Sequence, residues 1–300
     1  MLDPRSLMTY LSVCRENSIS GAARRLNISQ PAVSVTISQL EKTLGVSLFS
    51  RSRTGITLTP EGKALMQKAE SMEALLNSAE EEVALSKAGV SGPLNIGGTP
   101  GALVTLIPDA VERMEKDNQS FALRIVERSD EDLLELLRKG HIEIAVVTTS
   151  IGTLPNDIIE HSLMQDSLEL IVGKQNKQLP DKISRKELKN LSWVLPKAAG
   201  AFQSKVDAVF TSLEMHIPLN AIRCDSLLTT KAIVREGHYV TILPREVVAG
   251  ELASGEFRAI QLKGVNVKRS AGIRILAGHQ LSEMANRLIN ALFESHEKRR

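Results

Sequence analysis

Cysteine is almost absent from the chain: Cys14 and Cys224 are the only two in 300 residues. They fall in different candidate domains, which excludes a disulfide framework and leaves no thiol pair placed for a redox switch. No apolar run approaches the roughly 18 residues that a membrane span needs, and the opening MLDPRSLMTY lacks the charged-then-apolar order of a signal peptide. A cytoplasmic protein with no membrane partner is expected. Catalytic signatures are missing as well. There is no Gly-x-Ser-x-Gly elbow, and the histidines at 141, 161, 216, 238, 279 and 296 form neither His-Glu-x-x-His nor a Cys/His metal spacing. Gly-Gly-Thr-Pro-Gly at 97–101 has neither the spacing of a dinucleotide fingerprint nor the lysine of a P-loop. The reading is therefore of a non-enzyme with no metal and no cofactor.

Charge of one sign is scarce over the whole chain, where 37 basic and 35 acidic residues leave +2, but not within it. Residues 1–58 hold seven Lys and Arg against three acids, a local +4 where a polyanion would dock. The length predicts two or three domains, and 42% hydrophobic with 24% charged residues is ordinary for a soluble globular protein.

Residues 19–44 carry a helix-turn-helix pattern. Ile19, Ala22, Ala23 and Leu26 recur at helical spacing, Asn27 and Ile28 make a turn, and Ser29 is an N-cap with Pro31 just inside the next helix. In that second helix, about Gln30 to Leu44, the residues Val33, Ile37, Leu40 and Leu44 face inward. Gln30, Ser34, Thr36 and Ser38 lie opposite, short polar groups suited to base edges in a major groove. The segment 45–59 reads as a hairpin wing turning at Thr54-Gly55, with Arg51 and Arg53 placed for phosphate or minor-groove contact. A helical bundle with a polar outer face is the bland alternative. The small residues Gly21, Ala22 and Ala23, the Ser-Gln-Pro start and the basic wing together favour binding to double-stranded DNA.

Residues 60–88 lack Pro and Gly after Gly62 and predict one long helix. Its apolar positions Leu65, Ala69, Met72, Leu76, Ala79 and Val83 alternate spacings of four and three, a coiled-coil seam that a lone helix cannot bury. Either a second copy covers it or the body of its own chain does. Gly89, Ser91, Gly92 and Pro93 mark a hinge over 89–93. From Leu94 on, strands at 94–98, 121–127, 142–148, 168–173, 193–196, 222–224, 239–244 and 269–277 alternate with helices, which predicts a mostly parallel α/β sheet. The pattern suits two lobes, 94–163 with 268–300 and 164–267, joined by strands crossing near 161–168 and 264–269.

A ligand is expected between those lobes. Thr99, Pro100 and Gly101 form a strand-to-helix turn that aims backbone N–H groups and a helix dipole at the crevice, and Ala199 to Phe202 form a second, a geometry suited to a small anion such as a carboxylate. Thr99 and Gln203 would add polar bonds, Phe202 an apolar wall and Arg128 a cation. The plainer reading makes these residues helix caps.

Residues 21–65, GAARRLNISQPAVSVTISQLEKTLGVSLFSRSRTGITLTPEGKAL, resemble the N-terminal domain of LysR-type transcriptional regulators, and patterns such as LLELLRKGHIEIAVV and IVREGHYVTILPREVV extend the likeness through most of the chain. The resemblance implies a bacterial regulator with a winged helix-turn-helix, a long linker and dimerisation helix over 59–88, and a two-lobed effector domain over 94–300 like a periplasmic binding protein. It implies that Ser29, Gln30, Pro31, Ser34, Arg51 and Arg53 form or flank the DNA surface, and that Thr99, Gly101, Thr148 and Phe202 line the effector cleft with Ser226 at a helix start near it. Self-association as dimer or tetramer, a partly palindromic operator and contact with RNA polymerase are implied with them. Val35 and Ser38 depart from the family pattern, since basic residues are common at both positions. Two other functions stay open: an α/β enzyme with an accessory DNA-binding head, and a DNA-binding protein whose cleft is vestigial.

Overall fold

The computed structural model describes residues 1–52, 55–116, 119–196 and 200–297. By contact the chain divides into two units, Met1–Ala88 with Glu135–His141, and Gly89–Leu134 with Ile142–Arg300.

The first unit opens with three helices, α1 (Pro4–Glu16), α2 (Ile19–Leu26) and α3 (Gln30–Leu44). Each is capped by its own sequence: Asp3, Ser18 and Ser29 accept hydrogen bonds from first-turn amides, and Asn17, Asn27 and Gly45 end the helices in left-handed conformation. Leu7, Tyr10, Leu11, Ala22, Val33, Ile37 and Leu40 share one buried core. The antiparallel hairpin β1 (Phe49–Ser52) and β2 (Gly55–Leu58) follows, with Phe49 opposite Leu58. Helix α4 (Pro60–Lys87) comes next. Its Gly62 lies so close to the chain before β1 that an added Cβ would stand 2.2 Å from the Leu48 carbonyl, and the Tyr10 hydroxyl donates to the Gly62 carbonyl at 2.6 Å.

The second unit is α/β. Its first part contains β3 (Ser91–Gly98), α5 (Pro100–Glu115), β4 (Phe121–Glu127), the first half of α6 (Asp130–Arg138) up to Leu134, β5 (Ile144–Thr149) and the 15-residue β6 (Ile158–Val172). Then come β7 (Lys182–Ile183), α7 (Arg185–Leu188), β8 (Ser192–Leu195), α8 (Ala201–Ser212), β9 (Ile222–Arg223), α9 (Leu227–Glu236), β10 (Tyr239–Pro244), α10 (Ala249–Ala253), β11 (Arg258–Leu262), β12 (Lys268–Leu276) and α11 (Glu283–Glu297). The strand order β4-β3-β5-β12-β6-β10-β8-β9 carries two cores, one under α5 and α11 and one under α8.

Strands β6 and β12 cross between these cores as a pair, from Lys268 opposite Ser167 to Leu276 opposite Ile158. Here the sheet departs from the parallel arrangement expected. β3 pairs in parallel with β4 and β5, and β8 with β9 and β10, but β12 runs antiparallel to β5 and β6, and β6 antiparallel to β10 and β11. The reason is the late return of the chain: β12 comes back from the second part of the unit and inserts between β5 and β6, which run in the same direction, so it is antiparallel to both. The expected hinge over 89–93 is divided too, because β3 already begins at Ser91.

Candidate ligand cleft and nucleic-acid interface

The cleft of the second unit starts from the turn between β3 and α5. Thr99 is the N-cap of α5 and its hydroxyl makes no capping bond, while Pro100 at the first helical position contributes no N–H. The first-turn amides of an α-helix have no intrahelical partners, so the positive end of α5 is open at Gly101. Beside it stands a residue with no counterpart in the sequence reading. Arg269, on β12, is 1% exposed, and its Nη1 would lie 2.9 Å from a Cβ placed on Gly101. Its Nη2 donates to Thr105 Oγ1 at 3.2 Å and its Nε is buried without a partner. Burial pulls the Arg269 pKa down to about 10, opposed in part by the charge of Asp166.

The opposite wall is the start of α8. Gly200 precedes it and supplies no side-chain cap. The Ala201 amide instead donates to Asp130 Oδ2 at 3.4 Å. Asp130 Oδ1 lies 3.6 Å from Arg274 Nη1, and Arg274 is anchored by Glu160 at 2.9 Å and by the Thr148 carbonyl at 3.5 Å. Burial raises the Asp130 pKa, against the lowering pull of the Ala201 amide and Arg274. Between the walls the cavity measures about 370 Å³, with Pro100, Phe202, Leu227, Leu243 and Val247 as apolar lining. Asp130 Oδ1, Gln203 Oε1, Thr241 Oγ1 and Arg269 Nε all belong to this lining and all are buried without hydrogen-bond partners; among the described residues, two further such atoms lie elsewhere. Asp130 Oδ1 still faces Arg274, which leaves Gln203 Oε1, Thr241 Oγ1 and Arg269 Nε with neither hydrogen bond nor ion pair, a concentration of unsatisfied polar atoms that is rare in folded proteins.

Thr99, Pro100, Gly101, Arg128, Thr148, Phe202 and Gln203 are brought together here. Their chemistry differs from expectation in two places. Arg128 is exposed and turns Nη1 to the Glu127 carbonyl at 2.7 Å, so the buried cation is Arg269. Gln203 spends its amide N–H on Asp207 at 2.6 Å. Ser226 stands at the start of α9, near the cleft as expected, where its hydroxyl accepts from the Thr229 amide and its neighbours Asp225 and Leu227 supply the lining. Ala199, in the second expected turn, lies outside the described residues.

In the first unit, Ser29, Gln30 and Pro31 are exposed at the start of α3, with Ser34 and Thr36 half-buried beside them. Ser29 Oγ accepts from the Ala32 amide at 3.3 Å and Thr36 Oγ1 donates to the Ala32 carbonyl at 2.9 Å, so both hydroxyls are held in place. Val35, 68% exposed, stands among them. The backbone of Arg51 runs in β1; Arg53 lies outside the described residues. The seam of α4 is split. Ala69 is fully buried, and Leu65 and Met72 pack against the same core, so the first half of the seam is covered by its own unit. Leu76 and Val83, 45% and 59% exposed, and Ala79 remain uncovered.

The family described as the LysR substrate binding domain matches residues 87–297, and the bacterial regulatory helix-turn-helix protein of the lysR family matches residues 4–63. Among similar proteins are TdcA of Escherichia coli (strain K12), an HTH-type transcriptional regulator 23% identical over 90% of both chains, and the regulator BbuR of Bordetella bronchiseptica, 29% identical over 89% of this chain and 82% of that one. Two solved structures share the fold across 99% of both chains. Full-length CbnR complexed with its target DNA superposes with a TM-score of 0.67 at 18% identity. Full-length LysG from Corynebacterium glutamicum with bound effector Arg gives 0.62 at 22%. Among the described residues no helix is long and apolar enough to cross a membrane, and no cluster of His, Cys, Asp and Glu is placed to hold a metal.

Proposed function

Because the chain belongs to the LysR family of transcriptional regulators, with an effector-binding domain behind a winged helix-turn-helix, we propose that it is a cytoplasmic, non-enzymatic DNA-binding regulator controlled by a small anion held in the cleft of its second unit. The observation that carries the ligand reading is Arg269. A guanidinium buried at the open start of α5, with no carboxylate within ion-pair distance among the described residues, is a charge prepared for an anion the fold does not itself supply. Thr99 and Thr148 add polar groups and Phe202 an apolar wall.

The exposed start of α3 reads the major groove through Gln30, Ser34 and Thr36, positioned by Ser29 and Pro31, while Arg51 and Arg53 of the wing take phosphates. The domains are the head over 1–58, the linker and dimerisation helix over 59–88 and the effector domain over 94–300. Self-association through the exposed end of α4 presents two heads to a partly palindromic operator, and RNA polymerase is the further partner. A ligand that binds one arrangement of the effector domain better than another shifts the population of arrangements and so the DNA complex.

Binding of the full-length chain to a duplex selected from a random library, followed across salt concentration, tests the DNA-reading half. Replacing Arg51 and Arg53 by Ala is expected to weaken binding and reduce the salt slope by about 0.9 per lost phosphate contact, whereas Gln30→Ala relaxes sequence preference. An unchanged affinity and slope in the double variant overturns the wing assignment.

A further inference from the structure

We propose that the cleft selects ligands carrying a single anionic group on a compact apolar body, because the second anion position is already filled by Asp130. The inference rests on the anion-cleft reading and goes on to the class of ligand. Two helix starts face the cavity, and they are not equivalent. At α5 the open helix end is accompanied by Arg269, so two sources of positive potential converge on one place. At α8 the Ala201 amide is taken by Asp130 Oδ2, and that oxygen lies 3.5 Å from where a Cβ on Gly200 would stand. Asp130 is an internal anion at a helix start that has no cap of its own.

Asp130 is also not free to leave. Arg274 holds its other oxygen, and Arg274 is fixed by Glu160 and the Thr148 carbonyl. A second carboxylate brought to the start of α8 therefore meets a fixed like charge in a partly desolvated wall, where repulsion is screened far less than in water. The lining between the two helix starts is mostly apolar, with Pro100, Phe202, Leu227, Leu243 and Val247, and carries Gln203 Oε1 and Thr241 Oγ1 as buried polar atoms without hydrogen-bond partners. At about 370 Å³ it lies near the small end of ligand pockets, which run from roughly 300 to 1,000 Å³. A hydrocarbon body with one carboxylate, or with another group bearing a single negative charge, fits both the volume and the charge.

Calorimetry of the full-length chain with matched pairs, butyrate against succinate and hexanoate against adipate, tests this. Each monocarboxylate is expected to bind at least tenfold tighter than its dicarboxylate partner. Asp130→Asn keeps an acceptor for the Ala201 amide and removes the charge, and is expected to bring the ratio within threefold; Asp130→Ser serves the same purpose if thermal unfolding shows the Asn variant misfolded. Dicarboxylates that bind the native chain as tightly as their partners, or a ratio that neither substitution changes, overturn the selectivity. A different result overturns the anion cleft itself and this inference with it: no member of either pair binds, or Arg269→Gln leaves monocarboxylate affinity unchanged while the native ratio stands.

Discussion

Arg269 and Asp166 stand directly opposite each other on β12 and β6, yet each is held by a different part of the fold. Arg269 donates to Thr105 on α5, whereas Asp166 accepts from the Glu246 amide at 3.0 Å. A buried cation without an ion-pair partner costs stability, and the burial that lowers its pKa from 12.5 to about 10 has the same physical origin. Arg269→Met, which preserves much of the volume, is therefore expected to raise the ligand-free stability of the second unit by roughly 1–3 kcal/mol while abolishing anion binding. Denaturant unfolding measures the first effect and calorimetry the second. A destabilised variant would mean that the charge is already paired.

Asp166 makes its own contribution to the pH dependence of stability, and the sign of that contribution is set by its burial. Burial is the largest influence on it and raises its pKa above 3.8, with the Glu246 amide and Arg269 pulling the other way. A carboxyl whose pKa is higher folded than unfolded favours the folded state fully below its unfolded pKa, and that contribution is lost as pH rises through the folded pKa. Asp166→Asn should gain stability relative to the native chain as pH rises from about 4 toward 7. Urea midpoints at several pH values read the difference, and a flat difference contradicts it.

The two halves of the α4 seam should respond differently to charge. Ala69→Asp places a carboxylate in the helix-turn-helix core and is expected to cost more than about 3 kcal/mol, unfolding that unit. Asp at Leu76 and Val83 together should leave the unit folded and change the oligomeric state. Circular dichroism and light scattering separate the outcomes; a dimer unaffected by the Leu76 and Val83 substitutions places the interface elsewhere.

Local chemistry made the first unit legible. Ser29, Pro31 and Gly45 punctuate α3 within the range of the sequence itself, and the spacing of Val33, Ile37 and Leu40 fixes its inner face. The same reading expected Leu65, Ala69 and Met72 at a dimer seam because an apolar stripe records that a face is covered and not by what. The strands at 121–127 and 239–244 followed from their apolar runs, whereas the antiparallel return of β12 depends on pairing across a hundred residues. Arg269 was invisible for the same reason. In KRSAGIRIL it is one charge at the edge of a strand, and its place beside Gly101 exists only once β12 pairs with β6 and α5 packs over them. Asp130 is one of three acids in the first turn of α6, and nothing in the local sequence distinguishes it from Glu131 and Asp132 before α8 supplies the amide it accepts from.

The anion-controlled account is tested most directly by the response of DNA binding in Arg269→Gln. The small carboxylate, sulfonate or sugar acid that most raises the melting temperature of the native chain is titrated into full-length protein bound to the selected duplex, with affinity read by fluorescence anisotropy. The account predicts that the anion shifts the DNA affinity of the native chain, and that Arg269→Gln binds DNA with native affinity in its absence and shows no shift in its presence. A variant that responds to the anion as the native chain does would contradict it.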